Sequence, residues 1–190
     1  MLSGLSWSSV MYGMVNKFLK DIVTDYYGQE VWDKAHEKIG EDINFFIGME
    51  QYPDDITYEI VGAVSEVANV PAADLLENIG KGWASYTAAG EYGTYYSMAN
   101  DIFGFLKKLN SIHAALGTSM PNLRPPSFNL VEEGEGTVRL YYVSERPGLT
   151  PFVKGVLKGL AKFYGQKVSI EVTAEKQNGA DHDEFLISIV

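Results

Sequence analysis

The spacing of apolar residues over the first two thirds of the chain is typical of helices. In "YGMVNKFLKDIVTDYYG" apolar side chains recur every three or four residues, which predicts a helix ending at Gly28. Similar spacing predicts helices through Trp32, over "ITYEIVGAVSEVA" and over "PAADLLENIGKGWASY". The last helix of this part, "NDIFGFLKKLNSIHAALG", is expected to be capped by Asn100 and to end at Gly117.

Beyond the proline-punctuated connector "TSMPNLRPPS" the apolar period changes to two. "FNLVEE" and "TVRLYYVSER" predict one hairpin, and "KVSIEVTA" and "EFLISIV" predict another, turning near Asn178 and Gly179. Between them "TPFVKGVLKGLAKFYG" predicts a helix with Thr150 as N-cap and Pro151 at its first position. The expected fold is α+β: an amino-terminal helical lobe, then a carboxy-terminal four-stranded antiparallel sheet crossed by a helix.

A polar row closes the second predicted strand. Tyr142, Ser144 and Arg146 stand at every second position, so in a strand they share one face. Arg146 precedes Pro147, which favours extended backbone up to the end of the row. The row is either the solvated face of a half-buried sheet or a set of donors that binds an acceptor-rich group such as a carboxylate. The spacing alone leaves both interpretations open.

One of the three histidines differs from the others in its surroundings. His36 and His182 stand among charged residues, which predicts that both are solvated. His113 follows Leu106 and Leu109 on the apolar stripe of its helix, so it is either a satisfied core residue or a ligand. Because no second His, Asp or Glu shares that stripe, a multi-ligand metal site is not expected. A haem iron, however, needs only one neutral imidazole on its proximal side.

Composition narrows the classes of function. The chain has 190 residues, a length that fits one domain, and a net charge of −10, which argues against a nucleic-acid surface. It has no cysteine, which excludes disulfides, thiolate metal sites, a cysteine nucleophile and covalent haem attachment. No segment is apolar for long enough to span a bilayer, and "MLSGLSWSSV" lacks the positive flank of a secretory signal. A cytoplasmic location is predicted.

Non-covalently bound haem b would explain both the isolated histidine and the polar row. Its two propionates would be gripped by Tyr142, Ser144 and Arg146, while His113 would hold the iron. The segment "HAALGTSMPNLRPPSF", followed by the Y-x-S-x-R pattern of that row, resembles the haem nitric oxide/oxygen binding (H-NOX) family. This family provides the sensor module of soluble guanylate cyclase and its bacterial relatives.

The resemblance extends over nearly the whole chain. The segments "MYGMVNK", "WASYT", "SERPGL" and "GADHDEF" are also similar to the family, from about Met11 to Val190. It implies a single H-NOX domain over residues 11–190 with haem between the two lobes, preceded by an extension, Met1–Val10. It also implies that His113 is the proximal iron ligand and that the Tyr–Ser–Arg row binds the propionates.

Three further residues acquire roles from the resemblance. Pro126 matches the proline that presses on the macrocycle, and Trp83 and Phe152 match positions that line the gas pocket. Oxygen-binding members carry a tyrosine at the position of Phe152, so a stable O2 complex is not expected. The implied ligands of the ferrous haem are nitric oxide and CO.

The implied activity is gas sensing without catalysis. The signal would be release of His113 from the iron and a shift of its helix, read by a histidine kinase, a cyclic-nucleotide cyclase or a diguanylate cyclase. Two alternatives stay open at this point. One is a peroxidase-type haem enzyme, although no acid–base His–Arg pair stands near Phe152 or Trp83 in the sequence. The other is a haem-free module that binds an apolar ligand bearing a carboxylate.

Overall fold

A computed structural model of the chain describes residues 10–40 and 45–190. The chain divides into two units, Met1–Leu75 and Leu76–Val190. The predicted extension Met1–Val10 lies outside the described residues except for Val10. The assignment of residues 11–190 to a single domain stays a prediction.

The first unit is mainly helical, as its apolar stripes predict. Its elements are β1 (Val10–Tyr12), α1 (Gly13–Tyr27), α2 (Gln29–Ile39), β2 (Gln51–Pro53) and α3 (Asp54–Ala68). The apolar stripes of its helices are buried, with Phe18, Trp32 and Ile60 all at most 1% exposed. The antiparallel pairing of β1 with β2 was not predicted, because strands of three residues are too short to show an alternating pattern.

The second unit contains the remaining helices and a sheet. The helices are α4 (Ala72–Ala89), which begins just before the unit boundary, α5 (Gly93–Tyr96), α6 (Ile102–Gly117) and α7 (Thr150–Phe163). The short helix α5 lies between two predicted helices, in a segment for which no helix is predicted. α4, α6 and α7 confirm the predicted helices, and α6 includes Gly117 as its last residue.

The sheet has four antiparallel strands in the order β3-β4-β6-β5. Its strands are β3 (Ser127–Gly134), β4 (Thr137–Val143), β5 (Val168–Ala174) and β6 (Asp183–Ile189). A single turn of 3-10 helix, Lys176–Asn178, followed by Gly179 with φ of +99°, connects β5 to β6. The predicted α+β architecture of two hairpins with a helix between them is therefore confirmed.

One face of this sheet forms the core of the second unit. Along β4 the buried residues Val138, Leu140 and Tyr142 alternate with more exposed neighbours, as a half-buried strand requires. Leu140 lies opposite Phe185 of β6, and both are fully buried. Helices α6 and α7 contribute Leu106, Leu157 and other apolar side chains to the same cluster. Tyr142 is thus the last member of a buried row.

The starts of two helices differ from prediction by one residue. Asp101, not Asn100, is the N-cap of α6, and its carboxylate accepts a 2.6 Å hydrogen bond from the N–H of the third helical residue. Leu149, not Thr150, precedes α7, because the Thr150 hydroxyl instead donates to the buried carboxylate of Asp183 at 2.9 Å. Leaving a buried carboxylate without this hydrogen bond would cost more free energy than leaving the helix terminus uncapped.

Among the residues that the structure describes, no helix combines the length and apolar character needed to cross a bilayer. The cytoplasmic location stays a prediction.

Candidate functional site

His113 lies on α6 with its ring partly buried and oriented by a backbone carbonyl. Its Nδ1 lies 3.2 Å from the carbonyl oxygen of Pro126. If Nδ1 carries the proton and donates to that carbonyl, Nε2 keeps its lone pair. Burial lowers the pKa of His113, and the hydrogen bond to Pro126 only partly opposes this effect. The imidazole is therefore neutral at pH 7, the state in which it binds a metal ion.

Pro126 is the partly buried residue that immediately precedes β3. The resemblance assigns its ring a contact with the macrocycle. In the structure its carbonyl oxygen also holds the His113 ring. A carbonyl on the non-ligating nitrogen fixes the orientation of the ring and increases its basicity toward a metal. The connector between α6 and β3 therefore carries both the Pro126 ring, which is predicted to contact the macrocycle, and the Pro126 carbonyl, which orients His113.

Asn110, one turn before His113, fixes α6 to the start of β3. Its Nδ2 donates to the carbonyl of Phe128 at 2.9 Å, and its Oδ1 accepts from the Phe128 N–H at 2.8 Å. The side-chain amide thus pairs with a strand residue as a neighbouring strand would. Sequence reasoning missed Asn110, because its partner lies 18 residues away and no local pattern indicates it.

Aromatic rings connect the histidine with the polar row. The centroids of the His113 and Phe128 rings lie 6.0 Å apart, and those of Phe128 and Tyr142 lie 5.2 Å apart in an edge-to-face arrangement. Phe128 is buried on β3 directly opposite Tyr142 on β4. The predicted iron ligand and the first residue of the row are therefore joined through one buried side chain.

The strand that carries the row ends earlier than predicted. β4 stops at Val143, so Ser144 and Arg146 lie in the loop that follows it. Two causes are visible: the ladder with β6 ends at the pair of Tyr142 and Asp183, and the Ser144 hydroxyl accepts a 3.1 Å hydrogen bond from the backbone N–H of Arg146. A serine hydroxyl that accepts from the backbone N–H two residues later favours a turn over an extended strand.

The row nevertheless converges on one depression. Tyr142, Ser144 and Arg146 line an open cavity of about 190 Å³; its other lining residues are Pro147, Gly148, Lys176, Gln177 and Asp183. Val143, between the first two, is 46% exposed, whereas Tyr142 is 4% exposed. A concave surface lined with donors favours the binding interpretation over that of a solvated flat face. The cavity lining does not include His113.

Trp83 of α4 and Phe152 of α7 are also brought together. Their ring centroids lie 5.9 Å apart with planes at 75°, and both side chains are partly buried. The two residues predicted to line the gas pocket are therefore neighbours. Phe152 offers no hydrogen-bond donor to a ligand beside it.

The two helices that carry these rings touch through glycines, which sequence reasoning also missed. A Cβ on Gly80 of α4 would overlap the carbonyl oxygen of Phe152, and one on Gly155 of α7 would overlap the α4 backbone. A Cβ on Gly159 would lie 2.5 Å from an α4 carbonyl oxygen. Only glycine allows this approach. The spacing of Gly155 and Gly159 by four residues, on one helical face, is the signal that could have indicated it.

A buried hydroxyl pair lies one turn beyond Trp83. The Oγ1 of Thr87 and the hydroxyl oxygen of Tyr96 are 2.5 Å apart, and both residues are buried. Thr87 donates its proton to the carbonyl oxygen of Trp83 at 2.7 Å, so Tyr96 must donate to Thr87. Burial raises the pKa of Tyr96, more strongly than the hydrogen bond to Thr87 lowers it. The donors of this pair are used within the protein.

Glu77 pairs across the α4–α7 contact. Its carboxylate accepts from Lys158 at 2.7 Å and lies 3.1 Å from Lys81 and 3.8 Å from Lys154. Burial raises the pKa of Glu77, but the two nearer lysines outweigh it, so the pKa lies below its usual value. Two lysines of α7, Lys154 and Lys158, therefore pair with Glu77 of α4.

The two other histidines are also less solvated than predicted. The Nε2 atoms of His36 and His182 are both shielded from solvent. His182 packs against the ring of Tyr141, with 5.1 Å between centroids, and its Nδ1 contacts Asp181. The His182 ring is therefore engaged with Tyr141 and Asp181.

The residues present fit a bound haem. His113 provides one neutral imidazole with an oriented ring, and Arg146 with two hydroxyl groups provides donors for carboxylates. An α+β domain with this pair of features has the properties of a haem-binding domain. All seven predicted site residues fall within the second unit.

Comparison with known proteins gives the same class. The family model described as "Haem-NO-binding" matches residues 12–172. Soluble guanylate cyclase gcy-35 of Caenorhabditis elegans is 32% identical over 180 residues, which are 90% of this chain and 26% of the relative. Soluble guanylate cyclase gcy-32 of the same organism is 34% identical over 195 residues, 95% of this chain and 28% of the relative.

Solved structures share the fold. An H-NOX protein from S. oneidensis in the Fe(II)NO ligation state superposes with a TM-score of 0.86 at 23% identity, covering 95% of this chain and 99% of that one. The Fe(II) unliganded H-NOX protein from K. algicida gives 0.83 at 20% identity, covering 95% and 97%. At these identities the likeness concerns the fold alone.

The chain belongs to the H-NOX family, which binds haem. The predicted family and fold are confirmed. H-NOX domains are sensor modules related to soluble guanylate cyclase, so the prediction of a sensor rather than a peroxidase-type enzyme is also confirmed for this domain. The chain spans only about a quarter of the length of the curated relatives, 26% and 28% in the two cases above.

Proposed function

We propose that this domain holds haem b non-covalently through His113 and senses nitric oxide. The observation that carries the proposal is the His113 imidazole, kept neutral by burial and oriented by the Pro126 carbonyl with Nε2 left to bind iron. Haem, when bound, supplies a ferrous iron that takes up a diatomic gas. Tyr142, Ser144 and Arg146 would bind its carboxylates, and Pro126 would contact the macrocycle.

Trp83 and Phe152, the residues predicted to line the gas pocket, support selectivity for nitric oxide and CO over O2. Bound O2 is stabilised by a buried hydrogen-bond donor, on which CO and nitric oxide depend much less. Phe152 has no donor to offer. The Tyr96 hydroxyl donates to Thr87, and the Thr87 hydroxyl donates to the carbonyl of Trp83. We therefore expect no stable O2 complex.

The packing of α6 supports a signal based on release of His113. Ile102, Leu106 and Ile112 of this helix are buried in the core of the second unit, and these contacts do not depend on a bond to iron. A helix that loses its bond to iron but keeps its apolar packing shifts rather than unfolds. Asn110 would transmit that shift to β3, because its amide is paired with Phe128.

For the partner that responds to this shift, we propose a class of effector protein. The curated relatives are named as soluble guanylate cyclases, and the chain covers only 26% and 28% of two of them. We expect a cyclic-nucleotide cyclase, a diguanylate cyclase or a histidine kinase as effector. The net charge of −10 argues against nucleic acid as a partner.

Absorption spectra of the reduced protein test this function directly. The spectrum is recorded alone, under CO, under nitric oxide and in air. We expect a strong Soret band that shifts with CO and nitric oxide but not with O2, and loss of the histidine ligand only with nitric oxide. A reconstituted protein whose spectrum does not respond to nitric oxide would contradict the proposal.

The haem-free alternative has one observation in its favour. The cavity beside Arg146 has a volume of about 190 Å³, and its lining does not include His113. An apolar ligand with one carboxylate could therefore bind there without using the histidine. The purified protein distinguishes the two functions, because only the haem protein is coloured.

A further inference from the structure

Two cationic side chains, not one, line the cavity of the Tyr–Ser–Arg row. Besides Arg146, the lining includes Lys176 in the 3-10 turn between β5 and β6. The Nζ of Lys176 donates to the backbone carbonyl of Ser144 at 2.7 Å, which places its ammonium beside the row. We propose that Lys176 is a further carboxylate-binding residue of this domain and binds one haem propionate while Arg146 binds the other.

The charge of the lining supports this role. Asp183 contributes a negative charge to the same cavity, which cancels that of Arg146. Without Lys176 the lining would be neutral, and a neutral lining attracts carboxylates poorly. With Lys176 it carries one net positive charge. Haem brings two carboxylates, so a second cation gives each of them a charged partner.

Asp183 holds Lys176 in place while its own oxygens are engaged. One carboxylate oxygen accepts from the backbone N–H of Lys176 at 2.7 Å, and the other accepts from the Thr150 hydroxyl at 2.9 Å. The carboxylate is buried, at 6% exposure, so this pair of hydrogen bonds is well shielded. The turn that presents Lys176 is therefore fixed at its first residue.

The ammonium of Lys176 has the donors that the role needs. An ammonium has three N–H donors on a flexible stem, and the Ser144 carbonyl accepts from one of them. Arg146 differs in that its Nη1 donates to the backbone carbonyl of Arg124 at 2.9 Å, which fixes its plane. A fixed guanidinium and an adjustable ammonium would together hold two carboxylates at different positions.

The rate of haem loss tests the proposal, which rests on the proposed function. Haem-loaded wild type and Lys176→Gln are mixed with excess apomyoglobin, and transfer of haem is followed by absorbance. We expect about two- to fivefold faster loss from Lys176→Gln, the range expected for an exposed charge pair. Lys176→Arg should stay close to wild type. Lys167→Gln is the matched control, because Lys167 is also exposed but does not line the cavity.

A second measurement uses haem whose propionates are esterified. With this dimethyl ester, wild type and Lys176→Gln should lose the cofactor at equal rates, because there is no carboxylate left to bind. Equal rates with unmodified haem would overturn the role of Lys176 and leave the proposed function intact. Faster loss of both haem and its ester would show that Lys176 only supports the cavity, which also overturns the proposal. A wild type that takes up no haem would overturn the proposed function itself.

Discussion

The side-chain amide of Asn110 forms hydrogen bonds with both backbone polar groups of Phe128, at 2.9 Å and 2.8 Å. Asn110 lies one helical turn before His113, and the Phe128 ring lies between His113 and Tyr142. One amide thus fixes the helix of the proposed iron ligand to β3, the strand whose Phe128 lies opposite Tyr142 of the Tyr–Ser–Arg row. Neither hydrogen bond involves the His113 ring.

Replacing Asn110 with alanine should lower the free energy of unfolding. The buried N–H of Phe128 would lose its acceptor, which costs about 1–3 kcal/mol. Urea unfolding of the haem-free protein measures this cost. Asn129→Ala is the matched control, because the Asn129 side chain is exposed and receives only a 3.3 Å hydrogen bond from the same amide. Equal unfolding midpoints for the two variants would contradict the structural role of Asn110.

Replacing His113 with glycine should remove the protein ligand of the iron. The variant should lose haem, or keep it only when free imidazole is supplied, because imidazole can occupy the space of the deleted ring. The absorption spectrum of the reduced variant, with and without imidazole, makes the measurement. His36→Gln in the first unit should leave the spectrum unchanged. An unaltered ferrous spectrum of His113→Gly without imidazole would show that another residue holds the iron.

The three residues of the Tyr–Ser–Arg row should respond unequally to substitution. Arg146→Ala should reduce haem occupancy more than Ser144→Ala, because a charge-assisted hydrogen bond is about twice as strong as a neutral one. The Ser144 hydroxyl oxygen also already accepts a hydrogen bond from the Arg146 N–H. Haem content per protein after purification gives the ranking. Equal occupancy in Tyr142→Phe, Ser144→Ala and Arg146→Ala would return the row to the solvated-face interpretation.

Gas selectivity should change when one hydroxyl group is added at position 152. The reduced wild type should bind nitric oxide and CO in air without forming a stable O2 complex. Phe152→Tyr places a phenol 5.9 Å, by ring centroids, from Trp83 and should raise the affinity for O2 at least tenfold, equivalent to about 1.4 kcal/mol. Titration of the reduced proteins with O2, followed by absorbance, makes the comparison, and Phe152→Leu is its control. If the wild type already holds O2 and Trp83→Phe abolishes this, the donor is the indole instead.

Features that repeat along the chain could be predicted from the sequence. The apolar stripe of α6 identified the helix and placed His113 on its inner face, and the period of two identified the strand β4. The structure bears out both, because helical and strand periods determine which side chains are buried. The role of His113 as iron ligand remains a prediction.

Features that depend on distant partners could not be predicted in this way. The strand was expected to reach Arg146, but its partner strand begins only at Asp183, opposite Tyr142. Thr150 was expected to cap α7, but Asp183 takes its hydroxyl. In both cases the deciding residue lies more than thirty positions along the chain, where a local pattern carries no information about it.

The contact between α4 and α7 gives the last prediction. Gly155→Ala would place a methyl group into the α4 backbone, and the helices would have to separate to accept it. Overpacking of this kind costs about 1–3 kcal/mol, and here it would also move Phe152 away from Trp83. Urea unfolding measures the first effect, and the rate of CO binding to the reduced, haem-loaded variant measures the second. We expect a lower unfolding midpoint together with faster CO binding.

Gly62→Ala provides the opposite expectation for the same chemical change. Gly62 lies inside α3, and a Cβ there would meet nothing within 4 Å. Alanine should therefore stabilise the protein by about 0.5–1 kcal/mol, because it reduces the freedom of the unfolded chain without a clash. CO binding should stay at the wild-type rate in this variant. If Gly155→Ala behaved like Gly62→Ala in both measurements, the glycine contact would not control the positions of Trp83 and Phe152.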